Sequence, residues 1–249
     1  MSGGIESDES VVSGSADSPN RTFSYGPEPD HQVDVYSPVE IGVEPAICLI
    51  HGGFWRQEYD RAHCRPMAAR LAELGYAVFV PEYRRVGGNG GWPHTFDDLR
   101  SALAAIGSQS ERLLLVGHSA GGQLALWLAV CHQTPEMLGV LALAPVADLV
   151  EAEQLKLDAG AVRDLMGGTA LQFPDRYRMV NPAAYPAPSV ATAIVHGADD
   201  NIVPVHMSHN YVKNRPGVAL EVPECGHFEL IDPQAPEFAH VVAALGVLR

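Results

Sequence analysis

The chain has 249 residues, 47% apolar and 18% charged, which is enough to bury one sizeable core and short for two. Its 16 Lys+Arg against 30 Asp+Glu leave a net charge of −14, so it lacks the positive field that nucleic acid or an anionic bilayer would demand. No stretch approaches the roughly 20 apolar residues of a membrane span, which leaves an enzyme or small-molecule binding domain with neither nucleic acid nor membrane as a partner.

The first residues, MSGGIESDES, are polar and acidic, with no basic start and no apolar h-region, so they do not read as a secretory signal and a cytoplasmic location is expected. Residues 1–22 hold little that could offset the entropy of ordering and are expected to be a disordered acidic tail, followed by a single domain over 23–249. Residues 1–30 carry six acids and one base, so the rest of the chain is itself acidic. From residue 32 onward, short apolar runs alternate with helical ones. This is the pattern of an α/β domain with a mostly parallel sheet and helices on both faces. The expected strands are 32–36, 46–51, 77–81, 112–117, 139–144, 191–196 and 219–222, most of them continuously apolar, as strands covered on both faces are. Helical periodicity falls at 61–74, at 96–106 behind a Thr95-x-x-Asp98 cap, and at 120–132, 206–213 and 237–248. The stretch 148–188 breaks the alternation with a short helix near 161–166 followed by Gly, Pro and aromatic residues; it reads as a short insertion over the sheet's edge and the active site. Cys48, Cys64, Cys131 and Cys225 are scattered, with no C-x-x-C pair, and the eleven histidines show no H-E-x-x-H. Four free thiols, no metal and no cofactor are therefore expected.

Chemistry concentrates at the ends of the strands. Gly117-His118-Ser119-Ala120-Gly121-Gly122 lies between an apolar strand and a helix, the setting in which G-x-S-x-G forms a sharp turn presenting a serine Oγ. A hydroxyl needs a base, and the base an orienting acid. The strand at 191–196 leads into Asp199-Asp200, and the strand at 219–222 leads into Gly226-His227, so a carboxylate and a histidine follow the serine in the order Ser, acid, His. Asp199 competes with Asp200 for the acid. His118 and His196 flank these motifs, and packing accounts for both. Acyl transfer also needs N–H donors for the developing oxyanion. His51-Gly52-Gly53-Phe54-Trp55 follows the strand at 46–51 in the position that supplies them, with Gly52 allowing the tight turn and the amides of Gly53, Phe54 and Ala120 as donors.

These pieces together resemble α/β-hydrolase serine hydrolases, in the branch of small esterases and kynurenine formamidases (arylformamidases) that carry H-G-G-x-W. The likeness spans nearly all of residues 23–249 and adds Tyr25-Gly26, Asp34-Val35-Tyr36, His196-Gly197 and Val203-Pro204 to the motifs above. It implies Ser119, Asp200 and His227 as a triad, with Asp200 rather than Asp199 matching the family spacing. It also implies a cofactor-free reaction through an acyl-enzyme, on a small ester or an aryl formamide such as N-formylkynurenine. Phe54 stands where lipase-type loops carry a third glycine, which leans toward the formamidase side; a general carboxylesterase of short-chain esters is the alternative. A peptidase and a non-catalytic binder on the same fold are the remaining readings. Trp55, Tyr59 and Trp92 are candidates for lining the substrate pocket, with ordinary packing as the competing role. The oligomeric state is open between monomer and homodimer.

Overall fold

In this computed structural model residues 18–38 and 45–249 are described. Eight strands form one sheet: β1 (Arg21–Ser24), β2 (Gln32–Tyr36), β3 (Ala46–Ile50), β4 (Val78–Pro81), β5 (Leu113–His118), β6 (Met137–Leu143), β7 (Ala191–Val195) and β8 (Val218–Glu221). Their order is β1-β2-β4-β3-β5-β6-β7-β8, antiparallel at β1/β2 and β2/β4 and parallel everywhere else. This is the α/β-hydrolase fold. The expected strands are all present. β1 is an addition, and it begins inside the stretch expected to be tail; residues 1–17 of that tail lie outside the described residues.

The continuously apolar strands are explained by the period-2 alternation of their side chains between two covered faces. Cys48, Ile50, Leu113, Leu115, Val140 and Ala142 point to one core, shared with Phe96, Leu99 and Leu103 of α2 (His94–Gly107) and Leu124 and Leu128 of α3 (Ala120–Cys131). Ile47, Leu49, Leu114, Val116 and Leu141 point to the other, shared with Met67 and Leu71 of α1 (Arg65–Glu73) and the C-terminal helix Phe238–Leu248, through Val241 and Leu245. Full burial of each Val, Leu, Ile, Phe or Met side chain among these contributes about 1.5–3 kcal/mol. α3 is buried along nearly its whole length because the insertion covers the side facing away from the sheet.

The insertion is more regular than its sequence suggests. It contains α4 (Leu149–Leu155), α5 (Ala161–Met166) and α6 (Pro174–Val180), of which only α5 was expected. The Asp148 carboxylate caps α4 at Val150 N (2.8 Å) and accepts from Asn181 Nδ2 (2.8 Å), while Asn181 Oδ1 accepts from Leu149 N (3.0 Å), so one side-chain pair staples both ends of the segment. It lies across α3, whose Gln123 Nε2 and Trp127 Nε1 donate to the carbonyls of Val180 (2.8 Å) and Met179 (3.0 Å). It then reaches the loops after β3 and β4, where Arg56 pairs with Asp158 and Asp164 and the Trp92 amide donates to Leu165 O (2.7 Å).

The expected cap of α2 is corrected. Pro93 precedes the first helical residue, with no side-chain cap. Thr95 Oγ1 donates instead to Arg84 O (2.6 Å), and buried Asp98 accepts from Arg84 (2.6 Å) and His31 (2.9 Å), tying the helix to the loop after β4 and to the β1–β2 hairpin.

Candidate active site

Strand order fixes where a site can form. From β3 the chain moves outward to β4, and from β5 it moves the other way through β6, β7 and β8, so the direction of winding reverses between neighbours β3 and β5. Loops leaving the carboxyl ends of two such strands diverge and leave a crevice. The loops leaving these two are His51–Trp55 and the turn at Ser119.

Ser119 has φ 56° and ψ −118°, a left-handed φ that costs a non-glycine residue conformational energy. The surroundings hold it there: its amide donates to Leu143 O (2.8 Å), and its carbonyl accepts from Gln123 N (3.1 Å) and Val146 N (3.3 Å). Glycine is needed on both sides because a Cβ at Gly117 would overlap the Gly121 carbonyl, and one at Gly121 would overlap the Ile50 carbonyl oxygen. α3 thus starts directly against the end of β3, and the first-turn N–H of Ala120 has no acceptor within its helix.

His51–Trp55 packs onto this turn. A Cβ at Gly52 would sit 3.1 Å from Ser119 Cβ and 3.0 Å from the His118 carbonyl oxygen. Gly53, Phe54 and Trp55 all have positive φ (97°, 47° and 58°), a strained run that turns the chain sharply beside the serine. Two residues beyond the sequence motif support it. Glu82 follows β4, is buried, and receives His51 Nε2 (2.9 Å), the amides of Arg61 (2.9 Å) and Tyr83 (3.0 Å), and the Arg85 guanidinium. Burial pushes its carboxyl up, but His51 and Arg85 outweigh that and hold it down at about 2. Tyr83 stacks on the His51 ring at 4.3 Å and donates its hydroxyl to His51 O (3.0 Å). A carboxylate immediately after an apolar strand was the available sequence signal for this anchor.

The loops leaving β7 and β8 cross, since a Cβ at Gly197 would overlap the carbonyl oxygens of Cys225 and Gly226. The crossing brings His227 Nδ1 to 2.6 Å from Asp200 Oδ2. Asp200, not the exposed Asp199, is the carboxylate that meets His227. Its other oxygen accepts from the amides of Ile202 (2.9 Å) and Val203 (2.8 Å). Burial would raise its pKa, yet the hydrogen bonds from His196 and His227 prevail and hold it well below the usual carboxylate range. Because Nδ1 of His227 donates to this carboxylate, Nε2 is left as the basic nitrogen of the neutral ring. His118, next to Ser119, donates from Nε2 to the His227 carbonyl (2.9 Å), with the two rings 4.5 Å apart, so the histidine loop is tied to the serine turn. Packing alone does not describe His118 or His196, since both bond directly to members of this cluster.

The expected pocket residues separate. Trp55 is fully buried in the core, so it packs rather than faces a ligand. Tyr59 is half-buried with its ring against Gly53, and Trp92 is half-buried and packs on Phe96 at 5.7 Å. All four cysteines are free, and burial pushes the thiols of Cys48, Cys64 and Cys225 up to about 12, leaving them protonated at neutral pH. Among the described residues there is no cluster of His, Cys, Asp or Glu able to hold a metal ion, and no helix long and apolar enough to cross a membrane.

The BD-FAE family profile matches residues 33–214, which include Ser119 and Asp200 and stop short of His227. The chain belongs to the BD-FAE family. It is 26% identical over 226 residues to the probable carboxylic ester hydrolase LipM of Mycobacterium tuberculosis, matching 76% of this chain but 51% of that protein. It is also 30% identical over 113 residues to the probable isoprenylcysteine alpha-carbonyl methylesterase ICMEL1 of Oryza sativa subsp. japonica, covering 42% of this chain and 26% of that one. The chain therefore spans about half or less of these curated relatives. Among solved structures, a truncated carbohydrate esterase from gut microbiota superposes with a TM-score of 0.75 at 18% identity, covering 92% of this chain and all (100%) of that one. Esterase B of Lactobacillus rhamnosis gives 0.73 at 21%, covering 94% and 88%. At such identities the superpositions establish the fold.

Proposed function

We propose that this BD-FAE member is a serine carboxylesterase that hydrolyses small esters through an acyl-enzyme on Ser119. The observation that carries the reading is the strained backbone of Ser119, held at φ 56° where the β3 and β5 loops diverge and tied through His118 to the His227–Asp200 pair. Strain of this kind persists only where the surroundings enforce it, and it serves to hold one side chain in place. The esterase names of the relatives support the same class.

In this mechanism Ser119 Oγ attacks the ester carbonyl carbon while His227 Nε2 takes its proton. Asp200 holds the tautomer and stabilises the imidazolium. The tetrahedral oxyanion accepts from the amides of Ala120 and of Gly53 or Phe54, each such donor being worth roughly 3 kcal/mol in the transition state. Collapse expels the alcohol with the proton from His227. Water, activated by the same nitrogen, then releases the acid and restores Ser119.

Steady-state kinetics test the substrate class. Short-chain p-nitrophenyl esters are expected to be turned over, and Ser119→Ala to lose that activity; wild-type rates in the variant would remove Ser119 from the reaction. An aryl formamide is the second reading, favoured by Phe54 in place of a third glycine in the strained loop. A kcat/KM for N-formylkynurenine above that for the esters would select it.

A further inference from the structure

The acid of the site is held by two histidines rather than one. Asp200 Oδ2 accepts from His227 Nδ1 at 2.6 Å and lies 3.2 Å from His196 Nε2. His196 is fully buried at the end of β7, and its Nε2 also stands 2.8 Å from the Val203 carbonyl oxygen. Two acceptors on one ring nitrogen require that nitrogen to carry the proton. Nδ1 is then a lone pair, and the buried Ser208 hydroxyl, 2.7 Å away on the helix His206–Lys213, donates to it. A continuous chain results: Ser208 hydroxyl to His196, His196 to Asp200, Asp200 to His227.

We propose that His196, locked in its tautomer by Ser208, is a positioning residue for the catalytic acid, fixing Asp200 Oδ2 and dividing its charge between two N–H donors. This rests on the reading that Asp200 and His227 serve Ser119. A carboxylate oxygen with two donors is oriented from two directions, and it leans less on either donor than an oxygen with one. Removing the His196 N–H concentrates the charge on the His227 N–H. That bond strengthens, the imidazolium is favoured, and the base stays protonated to higher pH. The other titratable groups facing His227 are His118 and His63, and burial together with the neighbouring histidines lowers both, His63 to about 4. Neither gains charge in the range where an esterase is assayed. Asp200 also accepts from the amides of Ile202 and Val203, and the titratable groups beside it are His118, the exposed Asp199 and the Cys225 thiol, which is pushed up to about 12 and stays neutral.

The test is a set of three variants, read by the pH profile of kcat/KM on a p-nitrophenyl ester and by the low-field proton resonance of the His227–Asp200 bond. His196→Leu should move the acid limb upward by about 0.5–1 pH unit, move the proton resonance further downfield, and leave KM within about twofold of wild type because no substrate contact is lost. His196→Gln offers an N–H at similar reach and should recover more than half of both shifts. A folded His196→Leu protein with limb and resonance at their wild-type positions overturns the proposal. If the leucine variant does not fold, Ser208→Ala decides in its place: smaller shifts in the same directions support the relay, and unchanged values overturn it. Should the wild type hydrolyse no ester, the esterase reading fails, while the proton resonance still judges His196.

Discussion

At the scale of single residues, the site depends on groups whose ionisation is set by burial and partners. Asp200→Asn would keep the shape of the carboxylate while favouring the wrong His227 tautomer, so kcat should fall by about 10³–10⁴-fold with little change in KM, measurable by ester kinetics across pH. Glu82→Gln tests the anchor of the loop carrying Gly53 and Phe54. Because the folded carboxyl is held at about 2, below the unfolded value, its stabilisation is complete above about pH 4.5 and is lost as pH falls toward 2. The glutamine variant should therefore be less stable at pH 7 by roughly 2–3 kcal/mol in denaturant melts, with the difference narrowing over that acid window; an equal deficit at pH 3 would contradict it. Ser119, Asp200 and His227 were legible because each sits in a local motif whose glycines and strand context announce it. Glu82, His118 and His196 were not, since each acquires its role from a contact with residues that only the folded sheet brings alongside.

At the scale of elements, close approach between α3 and the end of β3 is what aims the serine. Gly121→Ala would drive a Cβ into the Ile50 and His51 carbonyls. It should lower the melting temperature and abolish turnover together, whereas a variant with normal kinetics would show that the helix can back away without cost. Arg56, which joins the His51–Trp55 loop to the insertion through Asp158 and Asp164, is partly solvent-exposed, so Arg56→Ala should cost under about 1 kcal/mol globally. Its effect should appear as faster amide exchange across residues 157–166. Strands and long helices were readable from apolar runs and helical period. The insertion was readable only at α5, which Gly160 and Gly167 bracket with left-handed φ (96° and 75°): Lys156, Asp158 and Ala159 adopt left-handed φ (54°, 42° and 53°) without glycine, so nothing in the composition marks where α4 stops. The α2 cap misled because Thr95 and Asp98 match a capping box while their hydrogen bonds go to the Arg84 loop.

For the whole molecule, winding outward from neighbours β3 and β5 places every candidate group at one end of the sheet. The cost of gathering buried histidines there is acid sensitivity. His63 is lowered to about 4, and His118 lies well below its ordinary value. Both keep the neutral form that folding requires, so the stability they confer is present above about pH 6.5 and is lost as pH falls through their folded values. Thermal melts should accordingly decline below pH 6.5, before most carboxylates titrate, and His63→Phe should soften that decline. The net charge of −14, first a reason to set aside nucleic acid, acts at this scale as a general repulsion and says little about a crevice built from neutral and paired groups. Covalent labelling tests Ser119 as nucleophile most directly: mass spectrometry after incubation with a fluorophosphonate should find a single adduct, on the peptide containing Ser119, with esterase activity falling in step. Labelling at another residue, or stoichiometric labelling of Ser119 with activity intact, would contradict it.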